Sequence, residues 1–153
     1  MIFNLELIKT KDAERVIFNI FSMYPRCIGG IFTILDTGSP RTIISAADAF
    51  RLKIPVNGLE DSRPACGFGR GGIPCKILHN FKFNIKSPDN KTRLVEMPVH
   101  VVDITALKKM NKDLIDNAFK VPSVIGIDFL RSQKLKMIVD FENDSSSYLE
   151  ELK

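Results

Sequence analysis

Two ten-residue runs, KILHNFKFNI at 76–85 and RLVEMPVHVV at 93–102, are joined by the polar segment SPDNK. Both runs are rich in β-branched and aromatic residues, and Pro-Asp-Asn between them is turn chemistry. The spacing predicts two long strands joined by a loop. Shorter runs repeat the pattern. Residues 2–8 (IFNLELI) and 15–21 (RVIFNIF) read as an opening hairpin about the polar KTKDAE. Pro25 and Gly29-Gly30 break the pattern, and IFTIL at 31–35 resumes it. TII at 42–44, SVIGI at 123–127 and LKMIVDF at 135–141 are further strands. Helices are few and short. Ser45 can cap a helix over 45–53, with Asp48 three residues on as in a capping box. A second helix is predicted over about 105–119, where Leu107, Met110, Leu114 and Ala118 share a face. A third is predicted over 128–134. Residues 56–65 read as loop. Many short strands and tight turns give a mainly β domain.

At 153 residues the chain suits one domain with a core of useful size, and it is too short for two full lobes. The formal charge of +4 comes from 22 basic residues scattered among 18 acidic ones. A nucleic-acid binder would concentrate its basic residues in a stripe with interleaved aromatics. The densest group here, Lys108, Lys109 and Lys112, fits the solvated face of a helix, so no nucleic-acid partner is expected. The first residues lack the basic-then-apolar pattern of a signal peptide, and no apolar run approaches a membrane span. Three cysteines argue against a disulfide framework. These features read as a soluble, cytoplasmic protein with no membrane partner.

The stretch that carries chemistry is I-L-D-T-G-S-P-R-T-I-I-S at 34–45. It places the carboxylate of Asp36 at the end of an apolar strand, where an unpaired charge is costly. Gly38 permits a tight turn, Thr37 can bond a neighbouring segment, and backbone N–H groups with the Ser39 hydroxyl can hold the Asp36 oxygens. One such carboxylate is a poor hydrolase. Two held about 3 Å apart share one proton, so one takes a proton from water while the other donates to a carbonyl oxygen. That chemistry needs neither a metal nor another cofactor, and neither is expected. The chain holds no second Asp-Thr-Gly and no Asp-Ser-Gly. The second carboxylate must come from a second chain, which a two-fold homodimer supplies at its axis.

With V-I-G-I-D-F-L at 124–130, this segment resembles the retropepsin-like aspartic proteases, which are single-lobe and dimeric. The likeness is closer to the protease domain of eukaryotic ubiquitin-shuttle proteins. There a D-[ST]-G-x-x-x-T-I-x-S turn leads into a helix, and I-G-x-D-x-L-[KR] precedes a strand ending in Ile-Asp. Here Arg131 and Ile138-Val139-Asp140 hold those places. The resemblance covers residues 14–141 by order of elements, and no ubiquitin-like domain is present in the chain. It implies a single-lobe acid-protease β-barrel over 1–141, with a few short helices and a glycine-rich flap. The polar tail, 142–153, would be disordered or part of the dimer interface.

The resemblance also implies an aspartic-type endopeptidase acting on an extended peptide or unfolded protein. Asp36 would be catalytic, supported by Thr37, Gly38 and Ser39, with Ile125 and Gly126 packed beneath the turn. Gly69, Arg70, Gly71 and Gly72, in the glycine-rich C-G-F-G-R-G-G-I-P-C, would form the flap. Retroviral enzymes pair an acidic residue two past the motif glycine with an arginine after the late glycine. Pro40 and Ile127 stand there instead. A rival class keeps the same groove without catalysis: a silent dimeric module binding extended peptides. The intact Asp-Thr-Gly-Ser favours the enzyme.

The remaining polar residues have plainer readings. Asp128 lacks the Thr/Ser-Gly context and is expected to cap a helix, and Asp140 is expected to be structural. His79 and His100 have no ligand spacing and read as structural or exposed. If the glycine-rich turn is centred on Arg70-Gly71, Cys66 and Cys75 face each other. They are then either two small buried thiols or a cross-strand disulfide.

Overall fold

A computed structural model describes residues 1–65 and 72–153. Thirteen strands and four short α-helices are assigned among the described residues. The strands are β1 (Ile2–Asn4), β2 (Glu6–Lys9), β3 (Glu14–Ile17), β4 (Ile20–Tyr24), β5 (Cys27–Ile31), β6 (Thr33–Leu35) and β7 (Ile43–Ile44). After α1 (Ala46–Arg51) come β8 (Glu60–Ala65), β9 (Ile73–Lys86) and β10 (Thr92–Val102). Then follow α2 (Ile104–Leu107), α3 (Lys112–Lys120), β11 (Ser123–Ile125), α4 (Ile127–Ser132), β12 (Leu135–Ile138) and β13 (Tyr148–Glu151). The fold is mainly β, as the sequence pattern predicts. No helix among the described residues is long and apolar enough to cross a membrane.

The large sheet runs β2-β3-β6-β11-β7-β10-β9-β4-β5, with β8 also paired to β9. Its spine is the predicted pair of long strands, β9 and β10, antiparallel from Thr92↔Lys86 to Val102↔Cys75. Val95, Met97, Val99 and Val101 alternate into the core. The register shifts between Met97 and Val99. Pro98 sits between them and has no N–H to give to the ladder, so a bulge falls there.

The phenylalanines explain how one side of this sheet closes. Ring centroids run from Phe3 to Phe18 (6.4 Å), Phe129 (5.7 Å), Phe83 (6.0 Å), Phe81 (5.8 Å) and Tyr24 (6.0 Å). Aromatic contacts at these separations add stability beyond area burial. They tie the first strand, the late helix and the central hairpin into one core. A smaller cluster, including Ile73, Val102, Leu107 and Ala118, lies under α2 and α3.

Several expectations need correction. Gly29 and Gly30 do not break a strand; they lie within β5, which pairs with β4 across the Pro25–Arg26 turn. A Cβ on Gly29 would come 2.8 Å from the Leu52 side chain, so glycine lets the end of α1 pack directly on the strand. Residues 60–65 are strand β8 rather than loop. The helix over 105–119 is two helices, because Asn111 accepts the Asp113 N–H at 2.8 Å and starts a new one. Asp103 caps the first through the N–H groups of Thr105 and Ala106.

The tail 142–153 carries strand β13. Asp140 accepts the N–H groups of Glu142 and Asn143, turning the chain toward β13. β13 then lies between β1 and β12 in a three-stranded antiparallel sheet. Phe3 pairs with Leu149, and both are fully buried. The outer strands of this sheet thus come from opposite ends of the chain.

Candidate active site

β6 delivers Leu35 to the core and ends on Asp36, whose carboxylate is exposed. Its backbone is held on the side of β11: the Asp36 N–H donates to the Ile125 carbonyl at 3.0 Å. The turn then folds back on the carboxylate. The Gly38 N–H donates to Asp36 Oδ1 at 2.8 Å, and the Ser39 N–H donates to the Asp36 carbonyl at 3.1 Å. Thr37 is exposed and makes no hydrogen bond to another described residue. Ser39 departs from expectation. Its hydroxyl donates to the Arg41 carbonyl at 2.7 Å and leaves the Asp36 oxygens to the Gly38 N–H. It stabilises the loop after the turn.

Gly126 sits under that loop. A Cβ there would come 2.5 Å from the Arg41 carbonyl carbon and oxygen and 2.8 Å from the Ser39 oxygen. No side chain fits in that space. Ile125 is fully buried beside it, and the Ile127 N–H donates to the Ser39 carbonyl at 2.9 Å. The two sequence motifs are therefore one packed unit.

Asp128 joins them as well: it is not the residue that caps α4, although its carboxylate accepts the Phe129 N–H of the first turn at 2.8 Å. Gly126 is the residue that precedes α4. Asp128 lies inside the first turn and reaches the other motif. Its carboxylate accepts the Thr42 N–H and the Thr42 hydroxyl, each at 2.8 Å. Thr42 Oγ1 in turn accepts the Gly126 N–H at 3.2 Å. A similar link lies one strand away: Ser123 donates to Asp48 at 2.6 Å and accepts the Ser45 N–H at 2.9 Å. Ser45 accepts the Asp48 N–H at 3.1 Å, which is the predicted cap of α1.

The turn opens onto a cleft of about 700 Å³ lined by Asp36, Arg41, Ile43, Arg63, Pro64 and Val124, among others. Sequence reasoning gave Arg41 no role. Its guanidinium spans the cleft edge and donates to the carbonyls of Arg63 (2.9 Å) and Pro64 (3.1 Å) on β8. Nη1 also lies 3.5 Å from Nδ1 of His100, which is 3.0 Å from the Ser62 hydroxyl. Burial, then the nearby Arg41 charge, holds His100 below the ordinary imidazole range. The one available signal was the presence of a long cation directly after the Asp-Thr-Gly turn. His79 lies on the surface, 2.6 Å from Glu60.

Of the glycine-rich segment, Gly72 is described; Gly69, Arg70 and Gly71 lie outside the described residues, as does Cys66. Gly72 sits where a Cβ would meet Pro64 Cβ at 2.4 Å, so β8 and the approach to β9 are closely apposed there. The expected juxtaposition of Cys66 and Cys75 involves a position outside the described residues. Cys75 stands opposite Ser62, and Ala65 stands opposite Ile73. Cys75 is a buried free thiol whose ionisation burial pushes up.

The fold is similar to those of several solved structures. One is a retropepsin-like aspartic protease from Rickettsia conorii: 16% identity, 97% of this chain and 91% of that chain covered, TM-score 0.58. Another is EIAV protease bound to the inhibitor HBY-793: 16% identity, 86% and 100% covered, TM-score 0.51. The retroviral protease-like domain of Ddi1 from Leishmania major aligns at 11% identity over 90% and 94%, with TM-score 0.44. By sequence alone, no protein-family model and no curated protein matches. The chain has the retropepsin-like aspartic protease fold. Its Asp-Thr-Gly turn and late glycine segment lie together in that fold, packed as one unit.

Proposed function

We propose that the protein is a homodimeric aspartic endopeptidase, in which Asp36 of two copies activates a water between them. The observation that carries this reading is the setting of Asp36. Its carboxylate is exposed at the mouth of a cleft while its backbone is pinned to the core through Ile125. The Gly38 N–H steadies Oδ1, as in an ordinary turn, and the rest of the exposed carboxylate is left open to the cleft. With one Asp-Thr-Gly per chain, a two-fold axis beside the turn supplies the partner. The pair holds one proton. The ionised member draws a proton from water, and the protonated member donates to the scissile carbonyl. Thr37, exposed beside Asp36, is available to a symmetry mate. On this reading Gly38 and Ser39 support the turn, Ile125 and Gly126 carry it from below, and residues 69–72 cover an extended peptide.

The test is cleavage of a denatured protein mixture by wild type and Asp36→Asn from about pH 3.5 to 7.5, with oligomeric state measured on the same samples. Wild-type dimer is expected to cleave. The still-dimeric variant is expected to be slower by about a thousandfold. A folded dimer that cleaves nothing at any pH would instead support a silent module binding extended peptides. Undiminished cleavage by the variant would remove Asp36 from the mechanism.

A further inference from the structure

We propose that the cleft beside Asp36 selects peptides bearing an acidic side chain close to the bond to be cut, received by the guanidiniums of Arg41 and Arg63. This rests on the protease reading above and adds the substrate class to it. Both residues line the cleft that Asp36 also lines. Arg51 and Arg93 are each paired with a carboxylate, on Asp48 and Glu151. Arg41 and Arg63, like Arg15, Arg26 and Arg131, form no ion pair with any described residue, and they are the two that line this cleft. Arg41 spends its hydrogen bonds on two backbone carbonyls and the edge of an imidazole, groups that orient a guanidinium without neutralising it.

The position of Arg41 makes this a binding arrangement rather than a surface accident. The side chain is half-buried, and two carbonyls from β8 fix its plane. A held guanidinium loses less rotamer freedom when it binds than a free one does. Arg63, exposed on β8, brings a second positive charge to the same cleft. A carboxylate entering there gains charge-assisted hydrogen bonds in a partly dry site, where they are stronger than in water. Ile43, Pro64 and Val124 supply the rest of the wall. The fitting substrate is therefore an extended segment with apolar residues at the cut and a Glu or Asp close by. A segment of clustered lysines and arginines would meet like charge and be disfavoured.

The experiment uses the full chain and paired peptides, identical except for Glu or Gln at one position, with that position walked along both sides of an apolar cleavage site. Uncleavable copies with a reduced peptide bond report binding by fluorescence anisotropy. At about pH 6, where Glu is ionised, kcat/KM for the Glu peptide is expected to exceed that for Gln by about tenfold at one position. The ratio is expected to shrink at high salt and to approach one in Arg41→Gln and Arg63→Gln. Arg41→Gln also cuts the tether to β8. The readout is therefore the Glu-to-Gln ratio within each variant, which a general loss of activity leaves unchanged. Equal cleavage of both peptides at every position overturns this proposal and leaves the protease reading intact. No cleavage, with tighter binding of the Glu copy, supports the acidic preference and overturns the protease reading. Binding of neither copy, without cleavage, overturns both.

Discussion

Thr42 and Asp128, distant in sequence, are joined twice: the carboxylate of Asp128 accepts both the backbone N–H and the hydroxyl of Thr42, each at 2.8 Å. Thr42 is fully buried, so its N–H has no water to turn to. A buried donor left unmade costs far more than an average hydrogen bond contributes. Asp128→Ala is expected to lower unfolding free energy by about 2 kcal/mol. Because Thr42 follows the Asp-Thr-Gly turn, the proposed protease activity predicts that the variant also loses peptide cleavage before it unfolds. Urea melts and cleavage rates on the same preparation check both. An unchanged melt would show that the two bonds contribute little.

Gly126 is the second fastener of the same pair of motifs. The Arg41 carbonyl and Ser39 oxygen stand within 2.8 Å of where its Cβ would be, and both are backbone. Backbone cannot rotate aside as a side chain can, so the loop has to shift. Gly126→Ala is expected to cost about 3 kcal/mol or leave the chain unable to fold. Gly30, with open space around it, provides the control: Gly30→Ala is expected to be nearly silent in the same melts.

The two motifs were legible in the sequence because each is local chemistry: an Asp-Thr-Gly turn, and a glycine between apolar residues. What joins them was not legible. Asp128 begins where a helix begins, and an aspartate there ordinarily caps. Only the packed structure shows Thr42 beside it. β8 was missed because its side chains, EDSRPA, carry no alternation; Ala65 alone is buried, and pairing to β9 holds the rest. The helix over 105–119 was read as one because the apolar spacing runs through Asn111, whose side chain competes for the backbone and starts α3 afresh.

The tail offers the plainest test of the fold's closure. Leu149 on β13 is fully buried against the main core and faces Phe3 across the ladder. Leu149→Ala is expected to cost about 3 kcal/mol through lost burial and the cavity left behind. Removing 148–153 is expected to do worse, since β1 and β12 then have no strand between them. Calorimetry on the variant and the truncation, beside wild type, decides it. A truncated chain as stable as wild type would detach β13 from the cooperative unit.

His100 gives the fold a defined pH response. It lies on β10 between Ser62 and Arg41, with Asp128 and His79 also acting on its charge. Burial and Arg41 lower its affinity for a proton in the folded state, while Asp128 opposes them more weakly. In the unfolded chain it titrates near the ordinary value of about 6.5. The sign follows. Above that value both states hold a neutral ring and stability is full. As pH falls below it, the unfolded state takes up the proton first, so stability declines. The decline ends once pH passes below the depressed folded value, where both states are charged. Between about pH 8 and pH 5, wild type is therefore expected to lose stability on acidification relative to His100→Gln, which lacks the titrating group. Parallel urea titrations at several pH values measure the difference. A wild-type curve that runs parallel to the variant's throughout this window would show that burial and Arg41 do not lower the proton affinity of His100 in the fold.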